Sequence, residues 1–186
     1  MVNHVRWQEK IVRVLDSKLE YIRSERTAAI LVPIIVTESP EIVMIKRKKN
    51  LSRSAGHIAF PGGMRDENEN PLETALREAE EEIGVRRDEV EVLGFLTPRE
   101  VVEHRIKIHP VVGAIFTRDF ERNDYEVERI LVDRLESVLR SRRIADWGPN
   151  FECDGELVWG ASSRILDDLY MRIIEHYGNI DSFFGN

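Results

Sequence analysis

The sequence predicts an α+β fold or an α/β/α sandwich. Short apolar runs rich in β-branched residues, as at 28–36 and 106–116, are typical of buried strands. Other segments carry apolar residues at helical spacing, as at 162–178. These strands and helices neither alternate strictly nor give an all-β pattern. The length of 186 residues favours a single domain over 1–186, with its core at about 25–178.

In the first half of the chain, one helix precedes a hairpin of strands. Apolar residues at helical spacing predict an amphipathic helix at 5–19, within an N-terminal segment of 1–24. The apolar run 28–36 and the run 41–47 are joined by a short polar turn, which predicts the hairpin. Pro33 is expected to mark an edge or a bulge of its strand. A basic loop and a strand that runs into two glycines follow.

The second half of the chain is expected to be mixed. Its predicted strands are at 90–98, 106–116 and 155–160, and its predicted helices are at 131–140 and 162–178. The last helix has the strongest apolar pattern and ends at a glycine, the usual C-terminal signal.

Composition and charge narrow the classes of function. The net charge of −7 does not favour nucleic acid as a partner, so a phosphorylated substrate needs a local basic patch or metal ions. No apolar run approaches the roughly 18 residues required to span a membrane, and the first residues lack the apolar core of a signal peptide. The single cysteine, Cys153, excludes an intramolecular disulfide and fits a reducing compartment. A cytoplasmic protein with no membrane partner is therefore expected.

The segment 70–84 carries the strongest helix signals in the chain. Asn70 is expected as the N-cap, Pro71 as the first helical residue and Glu73 as the partner in a capping box. Gly84 is a natural stop. Between them, five residues form one apolar stripe that should be buried: Leu72, Ala75, Leu76, Ala79 and Ile83.

Three carboxylates lie along one margin of this stripe. Glu78 and Glu82 are four residues apart, and Glu81 is the next position outward. Like charges at this spacing destabilise a helix by about 0.2–0.5 kcal/mol per pair, so a cation is expected to offset the repulsion. A cluster of carboxylate oxygens suits a hard divalent ion, Mg²⁺ above all. Gly62 and Gly63 allow the backbone to approach a metal or a phosphate closely.

These residues resemble the Nudix box, G-x5-E-x7-R-E-U-x-E-E-x-G-U. Gly63, Glu69, Arg77-Glu78-Ala79, Glu81-Glu82 and Gly84-Val85 match it at every specified spacing, with Ala79 as a small residue in an aliphatic position. The resemblance implies an α+β fold of the Nudix type, an α/β/α sandwich with a mixed β-sheet. It also implies metal-dependent hydrolysis of a diphosphate linked to another group, with Mg²⁺ or Mn²⁺ as cofactor. It also implies that Glu78 and Glu82 are the principal metal ligands.

The resemblance assigns further roles around these two ligands. Glu81 is an additional ligand, and the carbonyl of Gly62 or Gly63 is another. Glu69 and Arg77 form a structural ion pair between loop and helix. The base that takes a proton from water comes from the box or from a downstream loop; here Glu126 is favoured over the other candidates, which are Glu128, Glu100 and Glu103.

The residues before the box resemble the signature of coenzyme A pyrophosphatases, L-L-T-x-R-[SA]-x3-R-x3-G-x3-F-P-G-G. Six residues align with it: Arg47, Gly56, Phe60, Pro61, Gly62 and Gly63. Lys48 replaces a small residue, and Ser52 stands where the second arginine belongs, with Arg53 one place later.

This second resemblance implies that coenzyme A is cleaved to 3′,5′-ADP and 4′-phosphopantetheine. The residues expected to bind substrate are Arg47, Arg53, Gly56, Phe60 and Gly63. Arg47, within a basic segment that also contains Lys46, Lys48 and Lys49, is a candidate for the 3′-phosphate.

The sequence is compatible with several alternatives. ADP-ribose or another nucleoside diphosphate derivative could be the substrate, or the fold could serve as a binding module without catalysis. His57 and His109 are expected to be core or hydrogen-bonded residues rather than metal ligands. Trp147 and Trp159 could stack on adenine, although apolar packing is favoured, and Cys153 is expected to be an ordinary thiol. The N-terminal helix and the apolar C-terminal segment could form a homodimer contact.

Overall fold

The computed structural model describes residues 4–23, 25–49, 55–101 and 105–185. It contains five α-helices within these ranges, α1 (His4–Val12), α2 (Pro71–Ile83), α3 (Leu135–Arg140), α4 (Ala161–Tyr177) and α5 (Ile180–Phe184). The strands of the large sheet are β1 (Thr27–Ile35), β2 (Glu41–Arg47), β3 (Ile58–Ala59), β4 (Gly62–Met64), β5 (Val90–Phe95), β6 (Arg99–Val101), β7 (Ile106–Ile115) and β8 (Val127–Arg134). The strands of a smaller sheet are β9 (Arg143–Ala145), β10 (Gly148–Cys153) and β11 (Glu156–Val158).

The large sheet is built around β1, which is buried along almost its whole length. β1 runs parallel to β7 on one side and antiparallel to β2 and β4 on the other. The order is β3-β2-β1-β7-β5, with β8 on β2 and β6 on β7. The predicted mixed sheet is therefore confirmed.

Pro33 lies in this central strand and not in an edge strand. The residues of β1 up to Ile30 pair with β4, and those from Ile34 pair with β2. Pro33 falls in the interval between the two partners, where the missing backbone N–H removes no ladder bond.

Helices cover both faces of the large sheet, as the sandwich prediction requires. On one face, Ala75 and Ala79 of α2 pack against Ala29, Leu31 and Val111 of the sheet. Small residues on the helix allow it to lie close to the strands, which brings the polar margin of α2 near β4. The opposite face is covered by α1, α3, α4 and α5 around the main apolar core.

The N-terminal helix is shorter than the predicted 5–19. α1 ends at Val12, and tighter turns follow in which Val14 and Leu15 donate to carbonyls three residues back. Asp16 then exchanges two backbone hydrogen bonds with Phe95 at the edge of the sheet. Because the chain pairs with β5 at Asp16, the helix ends earlier than the apolar residues at helical spacing indicate.

The predicted helix at 131–140 is correct only from Leu135 onward. Residues 131–134 belong to β8, which pairs along β2 and places Leu131 opposite Met44. Leu131 and Leu135 are four residues apart, so their spacing fits a helix although they lie in different elements. The long pairing with β2 outweighs this local preference.

The apolar C-terminal segment is part of the core. Ile180 and Phe183 in α5 are 6% and 1% exposed, and Trp7 and Ile11 of α1 are also buried. The homodimer contact suggested for these two segments lacks support, because their apolar side chains already pack within the chain. Among the described residues, no helix has the length and apolar character needed to cross a membrane.

Candidate active site

The helix that carries the carboxylate cluster begins and ends as its local signals indicate. Asn70 Oδ1 accepts from the Glu73 backbone N–H at 3.0 Å, and Glu73 Oε2 accepts from that of Asn70 at 2.8 Å. Gly84 ends the helix with φ of +74°, a left-handed conformation that favours glycine. The loop after β7 then supplies two more partners for the end of α2: Glu121 N–H donates to Ile83 O and Asn123 N–H to Glu82 O, both at 3.0 Å.

Glu82 is the most buried carboxylate of the cluster, with 1% of the residue exposed. Its Oε2 accepts from the Gly62 N–H at 2.8 Å, and its Oε1 accepts from Arg47 Nη1 at 3.0 Å. Burial raises the pKa of Glu82 to about 7, because the two hydrogen-bond donors only partly compensate for the lost hydration. The neighbouring charges of Glu78 and Glu126 add to this rise.

Glu78 lies directly against the glycine backbone of β4. A Cβ atom at Gly63 would sit 2.3 Å from Glu78 Oε1, so only glycine leaves room for the carboxylate there. Burial also raises the pKa of Glu78, and Arg77 counters part of that rise. Two carboxylates with raised pKa values therefore meet at one glycine-lined strand.

Arg77 ties the loop before α2 to the carboxylate cluster. Its Nε and Nη2 atoms donate to the two oxygens of Glu69 at 2.7 and 3.2 Å, and Nη2 also donates to Met64 O at 3.1 Å. Its Nη1 atom lies 2.8 Å from Glu78 Oε1 and 3.1 Å from Glu81 Oε2. The Arg77 guanidinium is the largest of the causes that lower the pKa of Glu69.

A feature that the sequence did not predict is the position of the Arg47 side chain. Besides its bond to Glu82, its Nη2 atom lies 3.7 Å from Glu126 Oε2. Arg47 therefore joins the most buried box glutamate to the downstream loop. The residues are 35 positions apart in the chain, so no local signal could have indicated the pair.

Of the three base candidates that the structure describes, only the favoured one, Glu126, lies beside the cluster. Its side chain is 46% exposed, and its charge acts on both Glu78 and Glu82. Glu128 instead pairs with Lys46 at 3.5 Å, and Glu100 lies exposed on β6. Glu103 lies outside the described residues.

The remaining residues expected to bind substrate occupy different environments. Phe60 is 2% exposed and packs in the main core, so its predicted substrate contact is corrected to a core position. Gly56 has φ of +74°, and its N–H donates to Arg47 O at 3.1 Å, which closes the turn beside β2. Arg53 and Ser52 lie outside the described residues. Lys46 is bonded to Glu156 at 3.0 Å, away from the cluster.

The other candidate side chains have no place in the cluster. His109 is 1% exposed, and its two ring nitrogens have no hydrogen-bond partner among the described residues; burial lowers its pKa and so favours the neutral ring. Cys153 is buried, and burial raises the pKa of its thiol to about 12. Trp147 and Trp159 are 54% and 43% exposed, so neither is packed as an apolar core residue.

The carboxylate oxygens suit a hard divalent cation, but each of the three glutamates is already paired with an arginine. No set of three His, Cys, Asp or Glu side chains in the described part of the chain is arranged to hold a metal. Arg47 holds Glu82, and Arg77 holds both Glu78 and Glu81. Burial raises the pKa values of Glu78 and Glu82, so their ionised forms are disfavoured, and a bound cation would stabilise those ionised forms. Binding therefore requires these guanidinium groups to shift.

The chain is similar to known proteins over most of its length. The family model of the NUDIX domain matches residues 25–143, well over half of the chain. The chain belongs to the Nudix family. The Nudix hydrolase NudL of Pectobacterium atrosepticum is 32% identical over 176 residues, covering 86% of this chain and 88% of the relative. NudL of Yersinia enterocolitica is 32% identical over 158 residues, covering 78% and 80%. The protein is accordingly a Nudix hydrolase, and such hydrolases generally use divalent cations.

Solved Nudix structures share the fold at low sequence identity. A NUDIX hydrolase from Nitrosomonas europaea superposes with a TM-score of 0.57 at 16% identity, covering 87% of this chain and 77% of that one. The NUDIX domain of Shewanella oneidensis NrtR, solved in complex with ADP ribose, gives 0.55 at 14% identity, covering 83% and 90%. At this level of identity, these similarities show only that this chain shares the Nudix fold.

Proposed function

We propose that this Nudix hydrolase cleaves the diphosphate of coenzyme A, or of its derivatives, to 3′,5′-ADP and 4′-phosphopantetheine. The observation that carries the hydrolytic part is the meeting of Glu78, Glu82 and Arg47 at the Gly62–Gly63 backbone. Support for coenzyme A comes from the sequence before the box, where Arg47 and Gly56 align with the coenzyme A pyrophosphatase signature that ends in the Phe60–Gly63 run.

Glu78 and Glu82 are the proposed principal ligands of Mg²⁺ or Mn²⁺, with Glu81 and the Gly62 carbonyl as further ligands. Glu81 is 55% exposed and lies on the outer side, where it can reach an ion without leaving water. Glu69 and Arg77 would hold the loop and the helix in register. When bound, the cation neutralises the diphosphate and orients the attacking water.

Glu126 is the proposed general base. Its partial exposure gives it access to water, and Arg47 at 3.7 Å keeps its carboxylate directed towards Glu82. The water oxygen forms a bond to one phosphorus, the bridging P–O bond breaks, and Glu126 takes the water proton. The leaving oxygen departs with the other phosphate.

The position of Arg47 favours the diphosphate over the 3′-phosphate as its substrate contact. Its guanidinium lies within the carboxylate cluster and presents a planar fork suited to phosphate oxygens. Arg47→Ala should therefore raise KM for coenzyme A and for 3′-dephospho-coenzyme A alike. A selective loss with coenzyme A would instead assign Arg47 to the 3′-phosphate.

The test is hydrolysis of coenzyme A, 3′-dephospho-coenzyme A and ADP-ribose side by side, with Mg²⁺ or Mn²⁺ and with a chelator. Faster hydrolysis of coenzyme A supports the proposal. Faster hydrolysis of ADP-ribose would support diphosphate hydrolysis at this site but reject coenzyme A as the substrate. Glu82→Gln and Glu126→Gln should each lower kcat by about 100-fold or more. Glu80→Gln, on the exposed side of the same helix, is the matched control. Metal-independent cleavage would overturn the assignment of the site.

A further inference from the structure

One aromatic pair lies next to Arg47 and has no role in the chemistry above. The rings of His57 and Trp159 lie 4.3 Å apart between centroids, at an angle of 50°. Trp159 is 43% exposed although most large apolar side chains of the chain are buried. A tryptophan fixed at the surface presents a broad face to which a planar ligand can bind.

The pair is connected to the cluster through β2 and β3. The Arg47 N–H donates to His57 O at 3.0 Å, while the Arg47 side chain reaches Glu82. His57 therefore lies one strand spacing, about 4.8 Å, from the residue that contacts the buried carboxylate. In a nucleoside diphosphate derivative, only a ribose separates the diphosphate from the base.

Trp159 is also held on a rigid element. It directly precedes Gly160, which has φ of +73° and caps α4. The Gly160 carbonyl accepts from Ser163 Oγ at 2.9 Å and from the Arg164 N–H at 3.2 Å. The indole is thus positioned by the first turn of a 17-residue helix, and β11 beside it contacts β3. A ligand that stacks on this ring need not order a loop first.

We propose that Trp159, supported by His57, is the surface on which the nucleobase of the substrate stacks. This inference rests on the proposed function, because it takes the diphosphate to lie at Glu82 and Arg47. Stacking on an aromatic ring accepts any base, since every base has a π-face. The pair therefore contributes affinity for the nucleoside half of the substrate and little discrimination among bases.

The test measures binding without catalysis. In chelator, 3′,5′-ADP should quench the fluorescence of the wild-type protein, and Trp159→Ala should abolish that quenching. By calorimetry, Trp159→Ala should weaken 3′,5′-ADP binding roughly 5- to 150-fold, the range expected for one stacked base. Trp159→Phe should retain most of the affinity, and His57→Ala should cause a smaller loss. Binding of 4′-phosphopantetheine, which lacks a base, should not change.

Trp147→Ala is the matched control, because Trp147 is similarly exposed but lies between β9 and β10. Equal affinity of the Trp159→Ala and Trp147→Ala proteins for 3′,5′-ADP would overturn the inference, provided both keep the wild-type circular dichroism spectrum. AMP and UMP should both bind more weakly to Trp159→Ala. Failure of hydrolysis with normal Trp159-dependent binding would reject the proposed reaction and leave the stacking surface standing.

Discussion

Glu82 should make the metal-free protein less stable at high pH than at low pH. Its pKa rises from the ordinary 4.5 to about 7 on folding, so the folded protein disfavours the ionised form. The contribution of protonated Glu82 to the free energy of unfolding is fully present below pH 4.5. It is lost as the pH rises towards and through 7. A pKa rise of this size lowers the free energy of unfolding by about 3 kcal/mol once Glu82 is ionised in both the folded and the unfolded protein. About 2–3 kcal/mol of this loss occurs between pH 5 and pH 8.

The experiment compares wild type with Glu82→Gln in chelator, by urea unfolding at pH 5 and pH 8. Glutamine cannot ionise, and its altered contacts with Gly62 and Arg47 are the same at both pH values. From pH 5 to pH 8, wild type should therefore lose about 2–3 kcal/mol more unfolding free energy than Glu82→Gln does. Mg²⁺ at pH 8 should restore stability to wild type and much less to the variant.

Glu80→Gln removes a charge from the exposed side of the same helix and should change the unfolding free energy by less than about 0.5 kcal/mol at either pH. The reasoning fails if wild type and Glu82→Gln respond identically to pH. It also fails if Glu80→Gln reproduces the shift, because burial would then not be its cause.

Four further predictions concern single positions. Gly63→Ala should lower Mn²⁺ affinity, since its Cβ would lie 2.3 Å from Glu78 Oε1 and displace that carboxylate; unchanged Mn²⁺ titration would contradict this. The flexible Glu78 side chain can move aside, so the unfolding free energy should fall by less than about 1 kcal/mol. Gly84→Ala should destabilise by about 1–3 kcal/mol in urea, because φ is +74° and Glu121 lies 2.7 Å from the new Cβ, while Mn²⁺ affinity is kept. Arg77→Lys keeps the charge but loses the two bonds to Glu69, so Tm should fall by several degrees; an unchanged Tm would reject a structural role. Cys153 should react with a thiol reagent only in denaturant, and rapid labelling of the native protein would contradict its burial.

The fold elements that the sequence predicts well have signals contained within a few residues. Asn70, Pro71, Glu73 and Gly84 determine both ends of α2, because capping involves only the backbone of the adjacent turn. The stripe at Ala75 and Ala79 likewise indicated which face is buried. The apolar run of β1 was recognisable because a central strand is covered on both faces.

The elements that the sequence predicted poorly depend on distant partners. Leu131 satisfied helical spacing, and only the pairing with β2 makes it a strand residue. β9 and β10 were missed because their short, polar runs become strands through pairing with one another and with β11. In the candidate site, the box residues were found by spacing, whereas the Arg47–Glu82 pair and the His57–Trp159 contact join distant segments.

The Arg47–Glu82 pair has a thermodynamic consequence for how ligands bind. Arg47 is a counter-ion that the chain itself supplies, so a cation that binds Glu82 must compete with it. A diphosphate offers the guanidinium new oxygen acceptors and thereby weakens the competitor. Cation and diphosphate should then each raise the affinity for the other by the same factor, as linkage requires. We therefore expect the apparent dissociation constant for the activating cation to fall as substrate approaches saturation.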